Sequence, residues 1–271
     1  MTAFRFLKKG KIEYLESAAL AGCDFLVHAF CTRHEGVSGG SFGSLNFSAR
    51  TGDDSGKVSA NWELLADAFA IAPDRFRTVH QVHGDAIHAV NGSVDIPRSA
   101  AFPPEGELSC DAMITDRPGI ALGIKTADCV PIFLVDRVKP AIGAVHAGWR
   151  GTAAAILKKT VEAILERYAG EAKDVVVAIG PAIGGCSYEV GREVIDGVKR
   201  ATGEGGYYST KGDKYYLDLP AANKQQILSL GVPPENIWVS PDCTFCAPDR
   251  FYSYRFSKGS AGRQGGFIGL L

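Results

Sequence analysis

Short apolar runs bounded by glycine, proline or aspartate dominate the chain, and they predict strands at residues 25–31, 112–115, 120–125, 130–135, 141–146, 175–179 and 236–239. Several of these runs are apolar at every position, which is the pattern of strands covered on both faces. Helical spacing is rarer. It is clearest over residues 152–168, where Ile156, Leu157, Val161, Ile164, Leu165 and Tyr168 recur on one side and Lys158, Lys159, Glu162 and Glu166 occupy the other. A second helix is expected at 58–72, after Asp53, Asp54 and Ser55 and before Pro73. Helices at 190–200 and 220–230 complete the set, the last stopped by Gly231. Strands outnumber helices and do not alternate with them, so the pattern reads as an α+β fold with mixed sheets rather than a doubly wound parallel sheet. The polar, proline- and glycine-rich stretch 91–107 reads as a long loop over the site.

Composition narrows the function classes. The 271 residues carry neither an internal repeat nor a linker, so one domain over residues 1–271 is expected. A formal net charge of −1, with no block of like charge, argues against a nucleic-acid surface or an anionic-membrane binder and favours a small-molecule ligand. No apolar run approaches the roughly 18 residues of a membrane span, and the N-terminus lacks the pattern of a signal peptide. The 7 cysteines, an odd and scattered set, fit free thiols in a reducing compartment, so a cytoplasmic location is expected. The oligomeric state is left open.

Three of the 6 histidines sit in two phrases that packing explains poorly, His80-Gln81-Val82-His83-Gly84 and His146-Ala147-Gly148-Trp149-Arg150-Gly151. Between them lies Thr126-Ala127-Asp128-Cys129-Val130-Pro131. Cys129 and His146 both fall at strand ends, where a fold places reactive side chains on rigid support. Imidazole and thiolate are donors that zinc prefers, and three protein ligands leave a fourth position open. The spacing of His83, Cys129 and His146 matches no compact ligand motif, however, and a strand-end cysteine is equally a small buried hydrophobe. On local grounds both readings stand.

Those three phrases resemble the signatures of the YfiH-type family, long labelled a polyphenol oxidase or laccase domain and associated with purine nucleoside phosphorylase activity. Further phrases continue the likeness in order: His28-Ala29-Phe30-Cys31-Thr32-Arg33, Ser44-Leu45-Asn46, Gly180-Pro181-Ala182-Ile183-Gly184-Gly185-Cys186-Ser187-Tyr188-Glu189, Phe251-Tyr252-Ser253-Tyr254-Arg255 and Gly262-Arg263-Gln264-Gly265-Gly266. The resemblance implies a four-layered α-β-β-α arrangement similar to the catalytic domain of cytotoxic necrotizing factor. It also implies a catalytic Zn2+ held by His83, Cys129 and His146, with His83 rather than His80 as the first ligand. The implied reactions are phosphorolysis of adenosine, inosine, guanosine or methylthioadenosine and deamination of adenosine, with a purine nucleoside and phosphate as partners.

Arg150 is the first candidate for an anion contact, just ahead of an expected helix start; Arg33 and Asn46 are further candidates for substrate contact. Asp128 either orients a ligand or points away. The nucleobase deaminase signature of His-x-Glu with Pro-Cys-x-x-Cys is missing: Cys243-Thr244-Phe245-Cys246 follows Asp242, and no His-x-Glu occurs. Cys243 and Cys246 read as strand-end core residues, with a redox or second-metal role as the alternative. Multicopper chemistry needs more histidines than this chain offers. Two rivals remain. One is a metal-independent hydrolase or amidase with Cys129 as nucleophile and His146 as its base, including one acting on peptidoglycan precursors. The other is a non-enzymatic small-molecule-binding module.

Overall fold

Two six-stranded sheets face each other through an apolar layer in the computed structural model, which describes residues 4–91 and 108–271. The loop expected at 91–107 therefore lies, beyond Asn91, outside the described residues. In the first sheet the order is β1 (Phe4–Lys9), β2 (Ile12–Ser17), β3 (Leu26–Cys31), β15 (Gln264–Leu270), β7 (Ala121–Thr126) and β4 (Phe76–Arg77). In the second it is β14 (Ile237–Val239), β10 (Val175–Ile179), β8 (Val130–Asp136), β9 (Ala141–Ala147), β6 (Ala112–Thr115) and β5 (Ile87–Ala89). Both are mixed: β4 runs parallel to β7, β14 to β10 and β5 to β6, and the other pairs are antiparallel. A small antiparallel sheet joins β11 (Glu189–Val190), β13 (Lys214–Leu217) and β12 (Tyr208–Lys211).

The all-apolar runs have the expected cause. On β8, Phe133 and Val135 face the layer between the sheets, whereas Ile132 and Leu134 face the helices. On β10, Val176 and Ala178 take the first face and Val175, Val177 and Ile179 the second. Phe30 of β3 stacks on Phe133 across the sheets, ring centroids 4.4 Å apart. Helix α1 (Ser55–Phe69) covers the outer face of the first sheet, burying Val58, Trp62, Leu65 and Phe69 against Ala29, Cys31 and Phe267. Helices α2 (Trp149–Ala153), α3 (Ile156–Tyr168), α4 (Arg192–Thr202) and α5 (Leu219–Leu228) lie on the other side of the second sheet. The result is a mixed α+β fold of four layers, helix, sheet, sheet, helices. Each such buried side chain contributes about 1.5–3 kcal/mol.

Three expectations change. The helix read over 152–168 is two helices, α2 and α3, separated at Ala155, whose φ of 59° is left-handed. The segment 190–200 opens as a strand, β11, before α4 begins at Arg192. Strand β15, central in its sheet, is unforeseen because its sequence is rich in glycine. A Cβ on Gly265 would stand 2.7 Å from the Phe47 ring and one on Gly266 3.0 Å from Phe133, so both neighbouring layers press on this strand.

Candidate metal centre

Strand register brings the chemistry together. Antiparallel pairing sets Pro131 of β8 opposite His146 of β9, which carries Cys129, two residues before Pro131, to the same sheet end. His83 arrives on the turn before β5. Gln81 fastens that turn to β7: its amide donates to the Lys125 carbonyl at 2.7 Å and its oxygen accepts the Lys125 N–H at 2.9 Å. The donor atoms of His83, Cys129 and His146 lie within 4.8 Å of one another, and the two imidazole rings meet edge to face at 4.8 Å between centroids. His146 is buried, Cys129 half-buried and His83 exposed, so the group opens to one side. Gly148 is required here by close approach, since a Cβ would lie 3.0 Å from Cys129 Sγ and 3.1 Å from His83 Cδ2.

Asp111, fully buried just ahead of β6, organises the centre. Its Oδ1 lies 2.8 Å from His146 Nδ1 and accepts the His83 N–H at 3.0 Å; its Oδ2 accepts the N–H groups of Gly84 at 2.7 Å and Val82 at 3.2 Å. The turn holds His83 at a left-handed φ of 62°, a conformation that ordinary side chains seldom adopt. Burial alone would raise the Asp111 pKa, but the hydrogen bond and charge of His146 and the two N–H groups outweigh it and hold the carboxyl low. With Nδ1 engaged by Asp111, His146 turns Nε2 to the open side, as a carboxylate-oriented ligand does. Burial also opposes charge on Cys129, yet the His146 charge and hydrogen bonds from His146 and His83 bring the thiol down to about 6. His146 is carried up to about 9, against its own burial, by Cys129 and Asp111. The thiolate is thus the favoured form, which a metal ligand must be. Two imidazoles and a thiolate around one open face are a donor set that fits a zinc ion.

The centre lines a cavity of about 560 Å³. Arg150, Arg255 and Arg263 line it as cations, and Trp149, Tyr188 and Tyr254 as aromatic faces. Arg150 lies in the first turn of α2 rather than ahead of a helix, with its guanidinium 4.5 Å from the Trp149 ring centroid. Among the described residues it pairs with no carboxylate. His80 also lines the cavity, but its ring lies beside the Ser109 hydroxyl at 3.4 Å and stays out of the donor group.

Arg33 and Asn46, expected at the substrate, are not on the cavity wall. Arg33 spends its donors on backbone carbonyls, with Nε and one terminal nitrogen on Gly43 O and the other on Pro248 O. Asn46 is fully buried; it donates to Asp53 Oδ2 at 2.9 Å and accepts the Arg263 N–H at 2.8 Å. It therefore supports the segment bearing Arg263. Asp128 lines the cavity, but its carboxylate is occupied by Thr244 Oγ1 at 2.7 Å and the Arg255 N–H at 2.7 Å, so it fastens two loops and does not orient a ligand. Asp111, which does orient His146, carries no signal in the sequence, since its neighbours Cys110 and Ala112 mark no site.

A family model described as multi-copper polyphenol oxidoreductase laccase matches residues 27–271, and the chain belongs to that family. A purine nucleoside phosphorylase, YlmD, of Geobacillus stearothermophilus is 38% identical over 252 residues, covering 90% of this chain and 89% of that protein. A purine nucleoside phosphorylase of Deinococcus radiodurans is 38% identical over 244 residues, 90% of this chain and 88% of its own length. Among solved structures, the Bacillus licheniformis hypothetical protein YfiH superposes with a TM-score of 0.90 at 32% identity, each chain covered to 100%. No helix among the described residues is long and apolar enough to cross a membrane.

Proposed function

We propose that this chain is a zinc-dependent purine nucleoside phosphorylase acting on adenosine, inosine, guanosine or methylthioadenosine, with adenosine deaminase activity, and that residues 1–271 act as one catalytic unit. The observation that carries the metal is the convergence of His83, Cys129 and His146 within 4.8 Å at a cavity floor, with Asp111 behind them. The substrate class rests on the relatives, whose names are those of purine nucleoside phosphorylases.

Zinc is favoured over copper by the donor set. A mononuclear copper site of two histidines and a cysteine usually adds a distant methionine; of the 2 methionines here, Met113 is packed between the sheets and Met1 lies outside the described residues. Zinc bound there would supply Lewis acidity to an oxygen in the cavity. The chain's own residues would do the rest. Arg150, helped by Arg255 and Arg263, offers charge-assisted hydrogen bonds to phosphate. Trp149, Tyr188 and Tyr254 offer flat faces to a purine ring. In phosphorolysis a phosphate oxygen bonds to C1′ of the ribose as the bond to N9 breaks, so both ligands must share the cavity, and a lining that pairs Arg150 with Trp149, Arg255 with Tyr188 and Arg263 with Tyr254 suits that demand. Free thiols accord with a reducing, cytoplasmic setting.

A second reading has one observation in its favour. Asp111, His146 and Cys129 also form the order of orienter, base and nucleophile found in cysteine hydrolases, with the thiol already lowered to about 6. Zinc content and phosphate-dependent release of hypoxanthine from inosine separate the two. Cys129→Ala should hold one zinc fewer than the wild type and lose turnover, and chelation should do the same to the wild type. Arg150→Ala should keep its zinc and raise the KM for phosphate about tenfold, as the loss of one charged hydrogen bond implies. Turnover that survives chelation would end the zinc mechanism and leave the cysteine hydrolase.

A further inference from the structure

Away from the cavity centre, a second set of sulfur atoms converges. Cys186 stands on the turn after β10, and Cys243 and Cys246 on the turn after β14. Their three Sγ atoms lie within 4.8 Å of one another, and those of Cys186 and Cys246 are 3.7 Å apart. The backbone builds this meeting. Ala182 and Cys243 form a parallel bridge, Thr244 N donates to Ala182 O at 3.0 Å, and Gly184 N donates to Cys243 Sγ at 3.2 Å. Cys186 and Cys246 are exposed and Cys243 is half-buried, unlike Cys23, Cys31 and Cys110, which are buried in the core. The expectation that Cys243 and Cys246 are core residues is thus corrected. Their turn points its thiols outward, towards a third that the sequence spacing does not reveal.

We propose that Cys186, Cys243 and Cys246 form a second metal site, a three-thiolate seat for Zn2+ with water in the fourth position. Zinc–sulfur bonds of about 2.3 Å on a tetrahedron put sulfur atoms about 3.8 Å apart, and the Cys186–Cys246 separation already has that length. All donors are soft, which selects Zn2+ over hard cations. The exposed side leaves room for a water ligand. The thiol protons pass to solvent as the metal binds, and no electron is transferred. A bound ion would tie together two turns that adjoin the cavity. Tyr188, two residues after Cys186, lines that cavity, and Thr244, between the other two cysteines, hydrogen-bonds Asp128 beside Cys129. The site does not depend on the purine reading.

The test uses the full chain, prepared with Zn2+ and a non-thiol reductant. Zinc per chain is measured for the wild type, Cys129→Ala, and the double variant Cys186→Ser with Cys246→Ser. The double variant should hold one zinc fewer than the wild type, and adding Cys129→Ala to it should remove one more. The second loss reports on the first site alone, so the two proposals fail separately. In the wild type, added Zn2+ should slow iodoacetamide labelling of Cys186 and Cys246 at least tenfold, and a chelator should restore it. This second readout stands even if the double variant folds poorly. Equal zinc in both proteins together with unprotected labelling would overturn the site. So would a wild type that, without reductant, carries a Cys186–Cys246 disulfide and binds no zinc there once reduced.

Discussion

At the scale of single residues, Asp111 holds the candidate centre in shape. One carboxylate fixes the ring of His146 and takes three consecutive N–H groups of the turn that carries His83. It does not line the cavity, so it is a positioning residue. Asp111→Asn keeps the volume but loses the charge and at least one of these bonds. Zinc affinity, measured against a competing chelator, should fall about 10- to 100-fold; unchanged affinity would remove Asp111 from this role. His28 is a different kind of buried residue. Its Nε2 accepts the Ser17 N–H at 2.9 Å, so that nitrogen carries no proton. Burial, helped by Arg5, depresses its pKa from 6.5 to about 4. The unfolded chain therefore takes up a proton below pH 6.5 that the folded chain refuses until about pH 4. The stability from neutral His28 is complete above pH 6.5 and lost as pH falls through this window. Between pH 7.5 and 5 the loss is about 2 kcal/mol on the scale of 1.36 kcal/mol per pKa unit. Urea denaturation of His28→Gln should show a correspondingly smaller loss over the same range; identical pH profiles would contradict it.

Among the elements, the helical side of the second sheet departs most from local expectation. The periodicity over 152–168 is continuous, yet the chain leaves the helix at Ala155 so that α2 can lie across the strand ends. Thr152 explains why the short helix holds: Asn223 of α5 donates to its hydroxyl at 2.9 Å and Gln226 to its carbonyl at 2.8 Å. A Cβ on Gly151 would stand 3.0 Å from Gly84 O, so α2 rests directly on the turn that presents His83. Helix α3 ends in a similar way at Ala169, exposed with a φ of 54°. A left-handed alanine costs about 1–2 kcal/mol, and glycine avoids it at an entropic cost of about 0.5–1 kcal/mol. Ala169→Gly should therefore stabilise the protein by about 0.5–1 kcal/mol in urea denaturation. Ala163→Gly, inside the same helix, should destabilise it by about 1 kcal/mol. Effects of the same sign would count against the backbone assignment at Ala169.

For the molecule as a whole, the candidate ligands come from distant parts of the chain: the turn before β5, the connection between β7 and β8, and the end of β9. An unfolded chain has no such convergence, so a metal bound there favours the folded state. At a free zinc concentration near 100 times Kd, the gain is about 2.7 kcal/mol. For a protein of this size, that corresponds to a rise in Tm of about 5 °C. Chelation should reverse it, and Cys129→Ala should show a smaller chelator shift than the wild type. Equal shifts would mean that the stabilising metal sits elsewhere.

Sequence alone determined the layered, two-sided character of the central strands, because β8 and β10 are apolar at both alternating sets of positions and a strand must bury both. It also carried His83, Cys129 and His146 in distinctive phrases, though neither their spacing nor their chemistry said that they meet. Tertiary structure decided what depended on register and packing. The pairing of Pro131 with His146 put Cys129 beside its neighbours, and Asp111 became the orienting carboxylate only through its place between two strands and a turn. The same packing turned Arg33 to backbone carbonyls and Asn46 to Asp53 and the Arg263 N–H, and gave Cys186 to the Cys243-Thr244-Phe245-Cys246 turn. Hydrophobic pattern is a property of neighbours in the chain, and it survives folding largely unchanged. Partnership among polar side chains is a property of neighbours in space, set by the fold.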